Sequence, residues 1–190
     1  GLMLDIDRWV IGRAMASLAA LHTGMPQLRY SVNLSAMAVC DTGILDFIKE
    51  LLVRYNVEPG AITFEITENV AIGNITLAVQ FLEQLRALGC CTALDDFGIG
   101  YSSFAYLKDL PVDYVKIDGS FVKDIETNVL HRAMVKSMHE VAHAVGKKTV
   151  AEFVESERCL EMLRDIGVDY VQGYHIGKPV VVEGPQSFTE

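Results

Sequence analysis

Short apolar runs alternate with amphipathic stretches along almost the whole chain. The apolar runs are rich in Val, Ile, Phe and Tyr and predict strands at 30–34, 62–66, 91–95, 113–117, 148–152 and 169–173. The amphipathic stretches predict helices at 2–21, 44–55, 75–88, 103–107, 130–145 and 158–166. Strands that alternate with helices are typical of βαβ units, and nearly continuous apolar strands are typical of a parallel sheet covered on both faces.

The number of predicted strands favours a barrel. Six strands are too many for a minimal doubly wound domain and two fewer than the eight of a TIM-like (β/α)8 barrel. Such a barrel typically needs about 250 residues. This chain has 190 residues and opens on a predicted helix with no strand before it. We therefore expect residues 1–190 to form one α/β domain, a TIM-like (β/α)8 barrel that is N-terminally incomplete because its first two strands precede residue 1.

Composition and charge exclude several classes of protein. The net charge of −9 leaves no basic footprint for duplex nucleic acid. No segment reaches the roughly 18 consecutive apolar residues of a membrane span, and the N-terminus lacks the order of a signal peptide. The four cysteines contain no C-x-x-C pair, which argues against a zinc site and against a disulfide framework. These features predict a cytoplasmic domain.

One polar side chain lies at or near the end of each predicted strand. The set is Asn33, Glu65, Asp95 with its neighbour Asp96, Lys116, Glu152 and Gln172. The carboxyl ends of barrel strands open onto one mouth, so we expect these groups to converge there. Asn33, Glu65 and Asp95 offer hard oxygen ligands for Mg²⁺, Mn²⁺ or Ca²⁺. Adjacent carboxylates could serve two ions that activate water against a phosphoryl group, and Lys116 could orient or deprotonate that water.

Each of these residues, taken alone, also has a structural explanation. Asn33 could be a turn residue, Glu65 a surface position and Lys116 a residue whose long stem lies along the rim. The paired acids Asp95 and Asp96 could cap a helix. Polar residues at the ends of all six predicted strands favour a shared functional site over separate structural roles.

The string HEVAH at 139–143 matches the five-residue zinc peptidase motif H-E-x-x-H. Its two histidines are four residues apart on a predicted helix, so they share one face and could bind a metal. A zinc peptidase needs a third ligand further along and a different fold around the motif. The alternation of strands and helices on both sides therefore argues against a peptidase.

Six stretches of the sequence resemble the EAL-domain family, which consists of phosphodiesterases of the bacterial second messenger cyclic di-GMP. They are VNLS (32–35), FEITE (64–68), LDDFGIGYSS (94–103), LPVDYVKIDGSFV (110–122), TVAEFVE (149–155) and VQGYHIGKP (171–179). The motifs keep the family's order and spacing and cover nearly the whole chain. The resemblance implies metal-dependent hydrolysis of cyclic di-GMP to linear pGpG by an EAL-type barrel.

The resemblance also implies a role for each matching position. The implied metal ligands are Asn33, Glu65, Asp95, Asp96 and Glu152, and the implied catalytic residues are Lys116, Asp96, Glu152 and Gln172. The acids implied to hold a mobile turn at 98–103 are Glu68 and Glu155, and the implied substrate-side positions are Asp118, Pro111 and Gly173. Within this set, Lys116 positions or activates the attacking water and Gln172 lies near it.

Ions and partners follow from the same resemblance. We expect a two-metal site for Mg²⁺ or Mn²⁺, with Ca²⁺ inhibitory because of its looser coordination geometry. We also expect a homodimer formed through the turn at 98–103. An upstream sensor or a diguanylate cyclase (GGDEF) domain is expected in the full-length protein, which can be anchored to a membrane.

Two departures from the family pattern keep alternatives open. Phe153 stands where the family commonly has glycine, for which we expect only local consequences. The Glu-Ala-Leu tripeptide that names the family, and whose glutamate is a metal ligand, does not occur in these residues. The first alternative is therefore a catalytically inactive cyclic di-GMP receptor. A second, from fold logic alone, is an enolase-like barrel that acts on carboxylates with a lysine base.

Overall fold

The structure is a computed structural model that describes residues 1–100 and 104–181. Its strands are β1 (Tyr30–Asn33), β2 (Ile62–Thr67), β3 (Cys91–Phe97), β4 (Tyr114–Ile117), β5 (Lys148–Ala151) and β6 (Tyr170–Val171). Its α-helices are α1 (Leu2–His22), α2 (Ala36–Cys40), α3 (Ile44–Arg54), α4 (Glu68–Gly73), α5 (Ile75–Ala87), α6 (Gly119–Val122), α7 (Val129–Ala144) and α8 (Glu157–Ile166). The strand order of the sheet is β1-β2-β3-β4-β5-β6, the order of the chain. The predicted α/β class with a parallel sheet is confirmed.

The differences from the sequence prediction concern short elements. The strand predicted at 91–95 continues to Phe97, so Asp95 is not its last residue and Asp96 lies inside β3. The stretch predicted as a helix at 103–107 contains a 3-10 helix, Phe104–Lys108, and residue 103 lies outside the described residues. Helices α2, α4 and α6 were not predicted, because four to six residues are too few to show helical periodicity.

One compact unit consists of Gly1–Ile66 and Gly73–Thr92, with residues 180–181. In it, α1 packs against β1, α2 and α3, and β1 pairs in parallel with β2. Its fully buried side chains include Ile11, Met15, Leu18, Ile44, Ile48, Ile62, Phe64, Leu82 and Leu85. These side chains fix the direction of β1 and β2 and hence the positions at their carboxyl ends.

The second compact unit consists of Thr67–Ile72 and Ala93–Pro179. Within it, β3 pairs in parallel with β4, β4 with β5, and β5 with β6, while α7 packs against β4 and β5. The alternating inward positions of the strands supply its core, which includes Leu94, Phe97, Val115, Ile117 and Ala151. Parallel pairing places the carboxyl ends of β3, β4 and β5 along one edge of this unit.

Polar side chains define where several helices begin. Asn128 caps α7 through its amide oxygen, and Ser156 caps α8 through its hydroxyl, which accepts from the backbone N–H of Cys159 at 2.9 Å. Asp118 caps α6 by accepting from Ser120 N–H at 2.8 Å. None of the helices in the described part of the chain is long and apolar enough to cross a membrane.

Candidate functional site

A buried lysine joins two carboxylates at the carboxyl ends of β3, β4 and β5. Lys116 Nζ lies 3.0 Å from Asp95 Oδ1 and 2.8 Å from Glu152 Oε1. The side chains are only 7%, 12% and 13% exposed for Lys116, Asp95 and Glu152. Charges are rarely buried unless they are paired, and here the ammonium of Lys116 pairs with both buried carboxylates. Lys116 occupies a position between two acids where a metal ion could also bind.

An irregularity in β3 brings the two adjacent acids to the same place. Between Leu94 and Phe97 the strand advances three residues while its partner β4 advances two, from Val115 to Ile117, so β3 contains a bulge. Asp96 lies in this bulge with φ of 56°, a left-handed conformation that aspartate tolerates better than bulky residues. Neighbouring side chains in a regular strand point to opposite faces. Here, carboxylate oxygens of Asp95, Asp96 and Glu152 all lie within 4.8 Å of one another.

The acids of this cluster interact unfavourably with one another in the absence of a cation. Partial burial raises the pKa of the Asp96 carboxyl, and the negative charges of Asp95 and Asp118 raise it further, while Lys116 acts in the opposite direction. The backbone N–H of Asp96 donates to Asp95 Oδ1 at 3.0 Å, which fixes the neighbouring carboxylate. Three carboxylates and one ammonium leave a surplus of negative charge, which a divalent cation would neutralise.

The other two predicted metal ligands lie together in the first compact unit. Asn33 is the last residue of β1 and pairs in register with Glu65, which lies two residues before the end of β2, so the two stand side by side. The backbone N–H of Leu34 donates to the Glu65 carbonyl at 2.8 Å and extends the pairing by one residue. Glu65 is buried, whereas Asn33 is exposed. The alternation of Glu65 with apolar neighbours was also compatible with a surface position, but its burial excludes that explanation.

Glu68, at the start of α4, accepts hydrogen bonds from the turn that follows β3. Its Oε2 accepts from the backbone N–H groups of Gly98 at 2.9 Å and Gly100 at 3.4 Å, and its Oε1 accepts from the Tyr106 hydroxyl. Burial and the Glu68 carboxylate raise the pKa of Tyr106, so the phenol remains a donor. The contacts hold the described start of this turn, whose residues 101–103 lie outside the described residues.

Comparison with known families identifies the family to which the chain belongs. A family model described as the EAL domain matches residues 1–179. The chain belongs to the EAL domain family. The fold identified from the sequence motifs is thereby confirmed, since EAL domains are TIM-barrel-like.

Individual relatives agree with this assignment. The chain is 41% identical over 179 residues to "Cyclic di-GMP phosphodiesterase PdeF" of Escherichia coli K12, covering 94% of this chain and 24% of that protein. It is 42% identical over 178 residues to "Cyclic di-GMP phosphodiesterase PdeB" of Shewanella oneidensis, covering 94% and 21%. A solved complex, "PaMucR Phosphodiesterase, c-di-GMP complex", superposes with a TM-score of 0.91 at 34% identity, covering 96% and 74%. This EAL domain spans about a quarter of the length of the two curated relatives.

Beside the acid cluster of the EAL domain is a cavity of about 210 Å³. Its lining residues come from the segments after β5 and β6 and are Glu152, Phe153, Glu155, Gln172, Gly173 and Tyr174. Gln172 and Gly173 were expected near the water and the substrate, and they share this cavity with Glu152. Glu155 is exposed at the same cavity, and Glu68 bonds to the described start of the turn after β3.

The remaining substrate-side residues lie at the ends of neighbouring segments. Asp118 follows β4 directly, caps α6 and contributes to the raised pKa of Asp96, so its carboxylate is close to the acid cluster. Pro111 is half-buried between Leu110 and Val112, whose carbonyls accept from the buried Lys147 Nζ at 2.6 and 3.3 Å. Lys147 thus fixes the backbone around Pro111.

Sequence reasoning missed the contribution of three aromatic residues to this region. Tyr106 bonds to Glu68 across 38 positions of sequence, which no local pattern indicates. Tyr174 lies in the stretch 171–179 that resembles the family, and it lines the cavity, but the sequence indicated no role for it. Phe153 was noted only as a departure from glycine. It has φ of 55°, and its side chain packs over Gly119. The resemblance to a family that commonly has glycine here could have indicated this left-handed backbone conformation.

The contact between Phe153 and Gly119 gives a prediction about stability. A Cβ at residue 119 would lie 2.1 Å from Phe153 Cδ2, so Gly119→Ala displaces the ring and destabilises the fold by about 1–3 kcal/mol. In a Phe153→Gly background the same substitution is neutral or stabilising by about 0.5–1 kcal/mol, because alanine favours the helix α6. Denaturant unfolding of the four proteins measures this cycle. An equal effect of Gly119→Ala in both backgrounds would show that the ring does not matter.

Proposed function

We propose that this EAL domain hydrolyses one phosphodiester bond of cyclic di-GMP to give linear pGpG and that the reaction requires divalent metal. The observation that carries this proposal is the convergence of Asp95, Asp96 and Glu152 within 4.8 Å, with Lys116 between two of them. Two relatives named as cyclic di-GMP phosphodiesterases support the same substrate. The proposal covers this domain's part in a longer protein.

The residues proposed to hold the metal fit hard divalent cations. The set is Asn33, Glu65, Asp95, Asp96 and Glu152, whose donors are carboxylate and amide oxygens without sulfur or imidazole. Such donors favour Mg²⁺ or Mn²⁺, and Ca²⁺ inhibits because its longer bonds and larger coordination number relax the geometry. When bound, two ions would supply an activated water and neutralise charge on the phosphoryl group.

The chain's own residues would then orient and protonate. Lys116, held charged between two carboxylates, orients the attacking water and stabilises negative charge that develops on the phosphoryl oxygens. Asp96, beside Lys116 and the other carboxylates, accepts the proton of that water. Attack forms a bond from the water oxygen to phosphorus and breaks the bond to the ribose 3′ oxygen, which takes up a proton from solvent and leaves as the 3′ hydroxyl. Gln172 hydrogen-bonds the water from the cavity side.

Other residues are proposed to position these groups and the substrate. Glu68, through the turn that it holds, keeps Asp96 in its bulge, and Glu155 supports the same region from the cavity. Asp118, Pro111 and Gly173 contact the substrate. We also propose that the domain lies in the cytoplasm and dimerises through the turn at 98–103, beside a sensor or diguanylate cyclase domain of the full-length protein. A monomeric mass by light scattering of the intact protein would contradict the dimer.

One experiment separates the enzyme from a receptor that only binds. Cyclic di-GMP is incubated with the full-length protein and Mn²⁺, or with chelator, and pGpG is followed by chromatography while binding is measured by calorimetry. The enzyme gives pGpG with Mn²⁺ and none with chelator. Tight binding without pGpG in either condition would replace the proposal with the receptor. The enzyme is favoured over the receptor because every site residue named above is present in the chain. Turnover of a carboxylate substrate instead would favour the enolase-like alternative.

A further inference from the structure

A second cluster of metal-ligating side chains lies outside the acid cluster. His139 and His143 are four residues apart on α7, and Asp169 comes directly before β6. Ligand atoms of the three side chains lie within 4.8 Å of one another, and the two imidazole rings have centroids 4.1 Å apart. The HEVAH string therefore does meet a third ligand, which the sequence could not show because Asp169 is 26 positions beyond His143.

Hydrogen bonds already orient each ligand. Asp169 Oδ2 lies 2.7 Å from His143 Nε2 and accepts from Thr149 N–H at 2.8 Å and from Thr149 Oγ1 at 3.1 Å. His139 Nδ1 lies 2.8 Å from the same Thr149 hydroxyl. Thr149 is fully buried in β5, so it fixes both the carboxylate and the first imidazole from the inner side. Such outer partners are what orient metal ligands in proteins.

Burial and access suit a bound ion. His139 is 7% exposed, whereas His143 and Asp169 reach solvent, so an ion could enter from outside and meet a preformed inner ligand. Gly167, with φ of 99°, ends α8 beside the ring, and a Cβ there would lie 3.3 Å from His139 Nε2. A side chain at residue 167 would therefore crowd the imidazole, and glycine leaves it room.

We propose that His139, His143 and Asp169 bind a divalent transition metal of the zinc class. Two imidazoles and one carboxylate form a ligand set that binds Zn²⁺, Co²⁺ and Cu²⁺ more tightly than it binds Mg²⁺. The ion replaces the proton that joins His143 Nε2 to Asp169 Oδ2, and that proton passes to solvent. The open side of the cluster leaves a fourth position for water. The bound ion ties α7 to the segment that enters β6, whose far end carries Gln172.

The cluster is assigned to metal binding and not to peptide hydrolysis. Glu140, the acid of the H-E-x-x-H string, is exposed and lies 3.8 Å from Lys136 on the outer side of α7. Glu140 pairs with Lys136 in the preceding turn of the same helix, whereas His139 and Asp169 hydrogen-bond to Thr149 in β5. Metal binding can therefore be tested directly, without any peptide substrate.

Visible absorption of Co²⁺ tests the proposal, because tetrahedral sites with imidazole ligands absorb much more strongly than octahedral oxygen sites. The full-length protein is titrated with Co²⁺ in excess Mg²⁺, which competes for oxygen sites only. We expect one equivalent of strongly absorbing Co²⁺, displaced by Zn²⁺. Loss of an outer hydrogen-bond partner typically lowers metal affinity by roughly 10–100-fold. His139→Gln and His143→Gln each remove a ligand itself, so each lowers the affinity for Co²⁺ by at least as much.

Control variants make the outcome decisive. His131 lies on α7 and pairs with Asp124, which precedes the helix, and it belongs to no cluster of metal-ligating side chains among the described residues, so His131→Gln leaves the Co²⁺ band unchanged. His143 is exposed over 43% of its side chain, so its variant folds even if the buried His139 variant does not. Absence of the band in the wild type, or an undiminished band in His143→Gln, would overturn the proposal. Hydrolysis of cyclic di-GMP in Mg²⁺ is unaffected by His143→Gln, so this test does not depend on the proposed function.

Discussion

Replacing Lys116 with methionine separates metal binding from catalysis. The substitution leaves Asp95 and Glu152 buried without the ammonium that lies within 3.0 Å of both. In chelator, we expect a loss of about 3–5 kcal/mol in the free energy of unfolding, as for a broken buried ion pair. Added Mn²⁺ restores much of this stability, because the ion neutralises the same acids. Hydrolysis of cyclic di-GMP stays about 10²–10⁴-fold lower, because the group that orients the water is gone.

Thermal unfolding and pGpG formation, each with Mn²⁺ and with chelator, measure the two effects on one preparation. Lys136→Met is the matched control, since Lys136 is exposed and its ion pair in the described part of the chain is with Glu140 at 3.8 Å. It should leave both quantities unchanged. Stability that Mn²⁺ does not restore in Lys116→Met would mean that the ion does not bind at these acids. Normal turnover in Lys116→Met would remove the lysine from the mechanism.

Asp96→Asn is expected to abolish turnover while stabilising the metal-free protein. Asparagine accepts the left-handed backbone that Asp96 adopts and keeps its shape, but it cannot accept the proton of the water. We expect turnover to fall by about 10²–10⁴-fold. Without metal, the unfolding free energy rises by about 0.5–1 kcal/mol, a modest gain because Asp96 is partly exposed to water, which screens the repulsion.

The gain in stability depends on pH with a defined sign. The fold raises the pKa of Asp96, so the native state binds its proton more tightly than the unfolded state. The wild type therefore loses stability relative to Asp96→Asn as pH rises from the unfolded pKa through the raised folded pKa. Urea unfolding in chelator at acidic and neutral pH shows this, with the exposed Asp165→Asn as control. A gain that is equal at both pH values would contradict a charge-based cause.

Most of the candidate site could be predicted from the sequence for one physical reason, once the apolar runs had indicated where the strands lie. Parallel strands place their carboxyl ends along one edge, so a polar residue that ends each apolar run falls near the polar residue that ends the next. Lys116 and Glu152 follow this rule, and the structure brings them to within 2.8 Å. Asn33 and Glu65 follow it as register partners. Periodicity and strand order suffice for these residues.

What could not be predicted depends on the backbone conformation of single residues and on distant contacts. Regular alternation would turn Asp95 and Asp96 to opposite faces, and only the bulge at Asp96 brings their carboxylates together. Phe153 adopts a left-handed conformation that an aromatic residue rarely takes, at a cost of about 1–2 kcal/mol. The meeting of Asp169 with the histidines of α7 depends on where β6 begins beside β5, which hydrophobic patterning does not specify.

The most direct test follows Mn²⁺ binding and pGpG formation in the same titration of the full-length protein. Free Mn²⁺ is measured by its electron paramagnetic resonance signal, and pGpG by chromatography. The expected result is that turnover rises with the bound ion, and that Glu152→Gln weakens Mn²⁺ binding and turnover together. Formation of pGpG in chelator, or Mn²⁺ binding unchanged by Glu152→Gln, would contradict the claim that the cluster of Asp95, Asp96 and Glu152 holds the metal on which hydrolysis depends.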